Sequence, residues 1–164
     1  MTPRPAPAPY WATSVTPIGP PASENPTVRQ LLYAGVVTGA WAGIACLIVY
    51  LLTRAFGVDF TVTTDRGSVQ IPWVAALVVP LVSALAAALL SSLVRGWPRA
   101  GGIVYAVGTL VTVVSMAWPV LQGEGIPTKV MLIVMHVIAW WLIVPKIARI
   151  VGDSEPGRSV ERGE

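Results

Sequence analysis

The sequence predicts an all-α membrane protein, a bundle of four transmembrane helices with a short extracytoplasmic β-hairpin-like loop between helices 1 and 2. Residues 30–53, 67–94 and 100–123 contain no Asp, Glu, Lys, Arg or His, and residues 130–145 contain only His136 of these. A helix needs about 20 apolar residues to cross about 30 Å of hydrocarbon. Of the residues in the chain, 54 % are hydrophobic and 12 % are charged. In soluble proteins about a quarter of the residues are charged.

The first 26 residues predict a disordered, proline-rich cytoplasmic tail. Pro-Ala-Pro-Ala-Pro, residues 5–9, cannot join a helix or a sheet ladder, because proline fixes φ and lacks the amide donor. Asn25 then predicts a helix N-cap, with Pro26 at the first helical position.

The transmembrane domain is expected to cover residues 27–151, followed by a charged cytoplasmic tail over residues 152–164. Lipid satisfies no free N–H or C=O group, so the spanning segments must be helices. The fourth has the shortest stretch without acidic or basic side chains other than histidine, residues 130–145, and Lys129 and Lys146 at its ends can reach the two interfaces. The predicted spans are residues 31–53, 72–94, 101–121 and 128–150.

The loop between the first two spans predicts a β-hairpin. Residues 59–64 and 68–71 are rich in strand-forming residues, and Asp65-Arg66-Gly67 between them is typical of a turn. A two-stranded hairpin is only marginally stable alone. We therefore expect it to pack across the outer ends of the helices.

The distribution of basic residues predicts that both termini are cytoplasmic. With the N-terminus inside, eight Lys and Arg residues lie on the cytoplasmic side, and only Arg54, Arg66 and Lys129 lie outside. Basic residues concentrate on the cytoplasmic side of membrane proteins. The expected location is the plasma (inner) membrane, with the lipid bilayer as a partner. The basic residues at the ends of the spans favour anionic lipid headgroups, which accounts for the net positive charge, so nucleic acid is not predicted as a partner.

Several segments resemble a known family. They are Gly57-Val58-Asp59-Phe60-Thr61-Val62, Pro72-Trp73-Val74-Ala75-Ala76-Leu77, Leu132-Ile133-Val134-Met135-His136 and Ile143-Val144-Pro145. The order of these motifs resembles an uncharacterised family of small four-helix integral membrane proteins, mostly actinobacterial, known as a domain of unknown function. The resemblance covers roughly residues 31–150. It implies the fold and the membrane location, and it brings no activity.

Small residues predict how the helices pack. Gly35, Gly39 and Gly43 lie four residues apart on the first span, and this spacing lets a second helix backbone approach closely. The same face could instead form a homo-oligomer or bind another membrane protein. We expect helix 2 to be the first partner. Its matching ridge is Ser83, Ala87 and Ser91, with Ala84, Ala88 and Ser92 beside it.

His136 is the candidate functional polar residue inside the membrane. Ionisable residues at such positions often mark proton or ligand paths, and histidine titrates near neutrality. His136 has no acidic residue or second histidine at helical spacing, so a neutral structural role is the other interpretation. In that role we expect it to hydrogen-bond Thr109, Thr112 or Ser115 on the third span.

No motif predicts an enzyme, a metal site or a cofactor. One histidine and the single cysteine, Cys46, are too few for a zinc site. The phosphate-loop, dinucleotide and G-x-S-x-G patterns are missing from the sequence. Asp59 and Asp65 could form a carboxylate pair, but surface pairing with the neighbouring Arg54 and Arg66 is the simpler interpretation.

The sequence thus favours a non-enzymatic interaction or accessory module. The proline-rich tail and the outer hairpin would be its contact surfaces. The alternative is a small transporter or channel whose path passes His136. A polar, wet cavity lined by His136 would favour transport, and a dry core would favour the module.

Overall fold

The computed structural model describes residues 26–152. Within this range, four helical segments are long and apolar enough to cross a membrane, and a short antiparallel hairpin separates the first two. The predicted all-α membrane fold is therefore confirmed. The predicted N-terminal tail up to residue 25 and C-terminal tail from residue 153 lie outside the described residues. The elements are α1 Val28–Ala55, β1 Thr61–Thr64, β2 Gly67–Gln70, α2 Trp73–Val94, α3 Ala100–Ser115, α4 Ala117–Gln122 and α5 Ile126–Gly152.

Helix α1 begins two residues later than predicted, because Thr27 and not Asn25 is its N-cap. The Gln30 amide donates to the Thr27 hydroxyl at 3.2 Å, and the Thr27 amide donates to the Gln30 side chain at 2.8 Å. This capping box satisfies two amides that a helix start otherwise leaves free. The prediction was wrong because a threonine followed by glutamine three residues later caps more completely than asparagine before proline.

The third span is interrupted, whereas the sequence predicted one helix over residues 101–121. Helix α3 ends at Ser115, and the six-residue helix α4 continues the same span after Met116. Pro119 has no amide hydrogen to donate to the carbonyl of Ser115, four residues earlier. The helical ladder therefore breaks near Met116, whose own amide is shared between the carbonyls of Thr112 and Val113.

Helix α1 lies between α2 and α5, and α3 packs against the far side of α5. We call the end of the bundle that holds residues 26 and 152 the proximal end, and the end that holds the hairpin the distal end. Two apolar clusters fill the interior. The proximal cluster is Leu31, Ala42, Ala84, Ala88, Ala100, Ile143, Ile147 and Val151. The distal cluster is Cys46, Tyr50, Phe60, Val62, Ala76, Leu132 and Met135.

The proximal turn between α2 and α3 is tight and fixed to the start of α1. Arg99 adopts a left-handed conformation with φ of 61°, which reverses the chain immediately before α3. Arg95 donates a hydrogen bond of 2.8 Å from its guanidinium to the carbonyl of Pro26. This contact holds the entry to α1 beside the end of α2.

Candidate functional site

The three glycines of α1, Gly35, Gly39 and Gly43, pack closely against α2. A Cβ atom placed on Gly39 would lie 2.8 Å from the Cβ of Ala84 and 2.9 Å from the Cα of Leu81. On Gly43 it would lie 2.6 Å from the carbonyl oxygen of Leu77. No side chain fits at these distances, so the two backbones meet only because glycine occupies these positions.

The α2 residues that face the glycines are Ala84 and Ala88, which the prediction placed beside its main ridge. Of that main ridge, Ser91 is buried. Ala84 and Ala88 are fully buried against Gly35 and Gly39, whereas Ser83 is exposed and Ala87 lies at the edge of the proximal cluster. Ser83 and Ala84 both begin rows of small residues with a spacing of four. Spacing alone cannot select between two adjacent rows, and the prediction put the Ser83 row first.

A second close approach joins α3 to α5. A Cβ atom on Gly101 would lie 2.7 Å from the Cα of Gly152, and one on Gly108 would lie 2.9 Å from a methyl carbon of Val144. The sequence analysis missed this pair. Its signal was the seven-residue spacing of Gly101 and Gly108, which places both on one face two turns apart.

His136 bonds within its own helix. Its Nδ1 lies 2.7 Å from the carbonyl oxygen of Leu132, and a carbonyl oxygen only accepts, so Nδ1 donates in this contact. The predicted bond to α3 is wrong. Thr112 and Ser115 instead donate to backbone carbonyls of α3 at 2.9 and 2.7 Å, as hydroxyls in helices commonly do.

The polar contact between α3 and α5 comes from a different residue. The indole nitrogen of Trp140 donates to the Thr109 hydroxyl at 3.0 Å. Trp140 also makes an edge contact with Tyr105, at a ring-centroid distance of 6.2 Å. Thr109 was predicted as a hydrogen-bond partner of His136. A partly buried indole N–H needs an acceptor, and Trp140 lies one helical turn beyond His136, so the sequence offers two candidate partners for Thr109 and does not choose between them.

The hairpin is anchored on the distal ends of the helices through Phe60. Its ring is fully buried and stacks on Tyr50 of α1 at a centroid distance of 4.6 Å. The Tyr50 hydroxyl donates to the carbonyl of Ile71 at 2.8 Å, and the Arg54 guanidinium donates to the Tyr50 hydroxyl at 3.2 Å. Aromatic burial and these bonds fix both ends of the hairpin to α1, as the sequence predicted in outline.

Glu124, between α4 and α5, fixes the other side of the hairpin. Its amide donates to the carbonyl of Thr61 at 2.9 Å, and its carboxylate accepts from the hydroxyls of Ser68 and Thr63. These hydroxyls, Ser68 first, hold the pKa of the exposed Glu124 carboxyl below its usual range.

Asp59 is used differently from the predicted surface pairing with arginine. Its backbone carbonyl accepts from the Thr128 hydroxyl of α5 at 2.9 Å, and its carboxylate accepts from the Gln70 side chain at 3.4 Å. The hairpin is therefore held by α1, by the α4–α5 connection and by α5. It is a fixed part of the distal surface.

Comparison with known proteins identifies the family. The sequence model of a family of unknown function, DUF6069, matches residues 26–153. The chain belongs to the DUF6069 family. The resemblance to a domain of unknown function is thereby confirmed. No curated protein and no solved structure was found to match the chain.

In this DUF6069 chain, potential metal ligands are dispersed. Within residues 26–152, no three His, Cys, Asp or Glu side chains come together. The thiol of Cys46 is buried and lies 3.5 Å from the carbonyl oxygen of Met135. Such a thiol behaves as a small apolar group joining α1 to α5.

Proposed function

We propose that this DUF6069 protein is a non-enzymatic, multi-pass interaction or accessory module of the plasma (inner) membrane. It presents the distal hairpin outside the cell to an extended segment of a partner protein, and both its termini are cytoplasmic. The four membrane-spanning helices and the family assignment form the established part of this description. The role, the sidedness and the partner are proposed.

The free edge of β2 carries the proposal. Every residue of β2 is exposed, and the Ile71 amide donates to the Phe60 carbonyl at 2.8 Å. Bonded and non-bonded pairs alternate along an antiparallel ladder. With Val62 opposite Val69 as the next bonded pair, the backbone groups of Ser68 and Gln70 point away from β1. An extended peptide can add to such an edge through main-chain hydrogen bonds.

The other edge of the hairpin is closed. Val62 forms a bridge with Gly123, and the Glu124 amide bonds the Thr61 carbonyl at 2.9 Å. A partner strand can therefore add only beside β2. The anchoring of Phe60 and Glu124 fixes the edge before binding, which lowers the entropy lost when a partner docks.

The proposed sidedness rests on charge. Among residues 26–152, the proximal end carries Arg29, Arg95, Arg99, Lys146 and Arg149, and the distal end carries Arg54, Arg66 and Lys129. An excess of basic residues favours the cytoplasmic side.

The β2 edge is tested by a matched pair of variants in intact cells. Gln70→Pro removes the outward amide at a position where the hairpin itself does not use it, whereas Gln70→Ala keeps that amide. A photo-crosslinker at Ser68 should give a discrete adduct in the parent and in Gln70→Ala, and none in Gln70→Pro. Equal adducts in both variants would show that main-chain pairing at β2 is not the mode of binding.

The transport hypothesis remains the alternative, and the same protein tests it. The Nδ1 of His136 bonds a carbonyl of its own helix. A groove opens on the surface between α1 and α5, beside Trp41 and Leu142, and His136 does not line it. Reconstituted protein should therefore give no pH-dependent flux in liposomes. A flux that His136→Gln abolishes would replace the module with a transporter.

A further inference from the structure

An apolar groove opens between α1 and α5 on the surface opposite the α1–α2 contact. Its volume is about 880 Å³. Small residues of α1 form its floor, among them Ala34 and Ala45, while the exposed rings of Tyr33 and Trp41 stand at its wall. Leu142 and Lys146 line it from α5.

The proximal mouth of the groove is polar and positively charged. Lys146 of α5 and Gln30 of α1 lie at this end. A smaller cavity of about 380 Å³ adjoins it through Gln30 and Tyr33, and Arg29 lines that cavity. Lys146 therefore lines the groove and Arg29 lines the adjoining cavity, and Gln30 and Tyr33 line both.

Within residues 26–152 the acidic residues Asp59, Asp65 and Glu124 lie at the distal end, whereas Glu24 and Asp153 adjoin the proximal end in the sequence. Helix α1 has no acidic residue in its first turn. Among the residues that line the two cavities, the polar groups at this end are Lys146 and Arg29 with the neutral Gln30, Thr27 and Tyr33, a set that suits a phosphate diester.

The part of the groove with walls on both helices is about one leaflet deep, while α1 alone lines it further, to Ile48. The α5 wall from Leu142 to Ile150 rises about 12 Å at 1.5 Å per residue. Half of a hydrocarbon core of about 30 Å is about 15 Å. A partner helix would span the whole core, whereas the part of this groove with two walls ends near the midplane.

From this arrangement we propose that the α1–α5 groove binds an anionic phospholipid of the leaflet at the proximal end. The phosphate lies between Arg29 and Lys146, with Gln30 and the Tyr33 hydroxyl beside it. One acyl chain lies along Ala34 and Thr38 toward Trp41. The inference is independent of the proposed partner at β2 and of which side of the membrane is cytoplasmic.

Lipid binding to the purified full-length protein tests the site. The protein is stripped of lipid, mixed with equal amounts of phosphatidylglycerol and phosphatidylcholine of the same chain length, and analysed by native mass spectrometry. The parent should prefer phosphatidylglycerol. Arg29→Gln and Lys146→Gln should each lower this preference about fivefold, because one basic residue near an anionic lipid surface contributes about 1 kcal/mol.

Arg149→Gln is the control, since Arg149 is exposed at the same end of α5 but does not line the groove. It should leave the preference unchanged. Ala34→Phe should fill the floor and lower binding of both lipids while keeping every charge. If that variant does not fold, the three surface charge variants still decide the question.

Two results would overturn the site. An Arg149→Gln loss equal to that of Lys146→Gln would mean diffuse attraction to the whole basic end. Disulfide-linked dimers of Ala34→Cys in a Cys46→Ala background, formed in native membranes, would mean that a second copy occupies the groove.

Discussion

At the scale of single residues, two polar side chains one turn apart on α5 are satisfied in different ways. Trp140 donates to Thr109 across the α3–α5 contact, while His136 donates to the carbonyl of Leu132 in its own helix. Loss of the Thr109 hydroxyl would leave the Trp140 indole N–H without an acceptor, which costs stability. Loss of the His136 side chain would cost less, because the Leu132 carbonyl keeps its helical hydrogen bond. The two sites should therefore respond differently to apolar substitution.

Thr109→Val is expected to lower the free energy of unfolding by about 1 kcal/mol, because it leaves the Trp140 indole N–H unpaired in the membrane. His136→Leu and His136→Gln should change it by less than about 0.5 kcal/mol. Unfolding in mixed micelles with increasing dodecyl sulfate measures all three. A larger loss for His136→Leu than for Thr109→Val would contradict this ranking and give His136 an interaction beyond its own helix.

The Glu124 carboxyl gives a second residue-level prediction. Its pKa is lowered in the folded protein by the hydroxyls of Ser68 and Thr63, in that order. A lowered folded pKa means that the contribution is present above the unfolded pKa and is lost as pH falls through the folded pKa. The hairpin should therefore loosen in acid, below the usual titration range of glutamate.

Carbon NMR titration of the Glu124 carboxyl measures this shift directly. Ser68→Ala should return the pKa toward its ordinary value, and Thr63→Val should return it less. Ser92→Ala serves as the control, since the Ser92 hydroxyl donates to the carbonyl of Leu89 on α2. An unshifted pKa in the parent protein would show that the hydroxyls of Ser68 and Thr63 do not stabilise the carboxylate.

At the scale of elements, the α1–α2 pair depends on glycine and the outer face of α3 does not. A Cβ atom on Gly39 would lie 2.8 Å from Ala84, whereas one on Gly102 of α3 would meet nothing within 4 Å. Both residues are glycines in membrane helices, Gly39 in the middle of α1 and Gly102 in the first turn of α3. The pair separates the effect of packing from the effect of the residue type.

Gly39→Leu should destabilise the protein by about 1–3 kcal/mol or more, because α1 and α2 must separate to admit the side chain. Gly102→Leu should leave stability within about 0.5 kcal/mol of the parent. Thermal denaturation in detergent reports both. Equal melting temperatures for the two variants would show that the glycine face of α1 does not carry the contact with α2.

At the scale of the whole molecule, charge and aromatic placement divide the two ends of the bundle. Within residues 26–152 five basic residues lie at the proximal end and three at the distal end, which the hairpin with its Tyr50–Phe60 stack closes. The proximal end has short, basic connections and the mouth of the α1–α5 groove. This polarity predicts one orientation in the membrane.

In a Cys46→Ala background, Gly67→Cys should react with a membrane-impermeant maleimide on intact cells, and Arg95→Cys should not. Gly67 lies in the exposed hairpin, and Arg95 ends α2 at the proximal side. Permeabilised cells provide the control, in which both cysteines should react. The reverse pattern on intact cells would invert the proposed topology.

The number of spans, the hairpin and the family resemblance followed from the sequence because each depends on local chemistry. A span needs only about 20 apolar residues between charges, and the turn at Asp65-Arg66 joins two strand-forming segments. These features hold whatever the helices later contact. The interruption at Met116 was also readable, since Pro119 cannot complete the ladder of its own helix.

Tertiary structure alone decided which faces meet. Lipid tails and protein interiors are similarly apolar, so a membrane helix has little amphipathic contrast to reveal its buried side. Ser83 and Ala84 were equivalent in the pattern, and only the approach of Gly39 selected Ala84. His136 and Trp140 competed for Thr109 in the same way, and the relative rotation of α3 and α5 gave that acceptor to the indole.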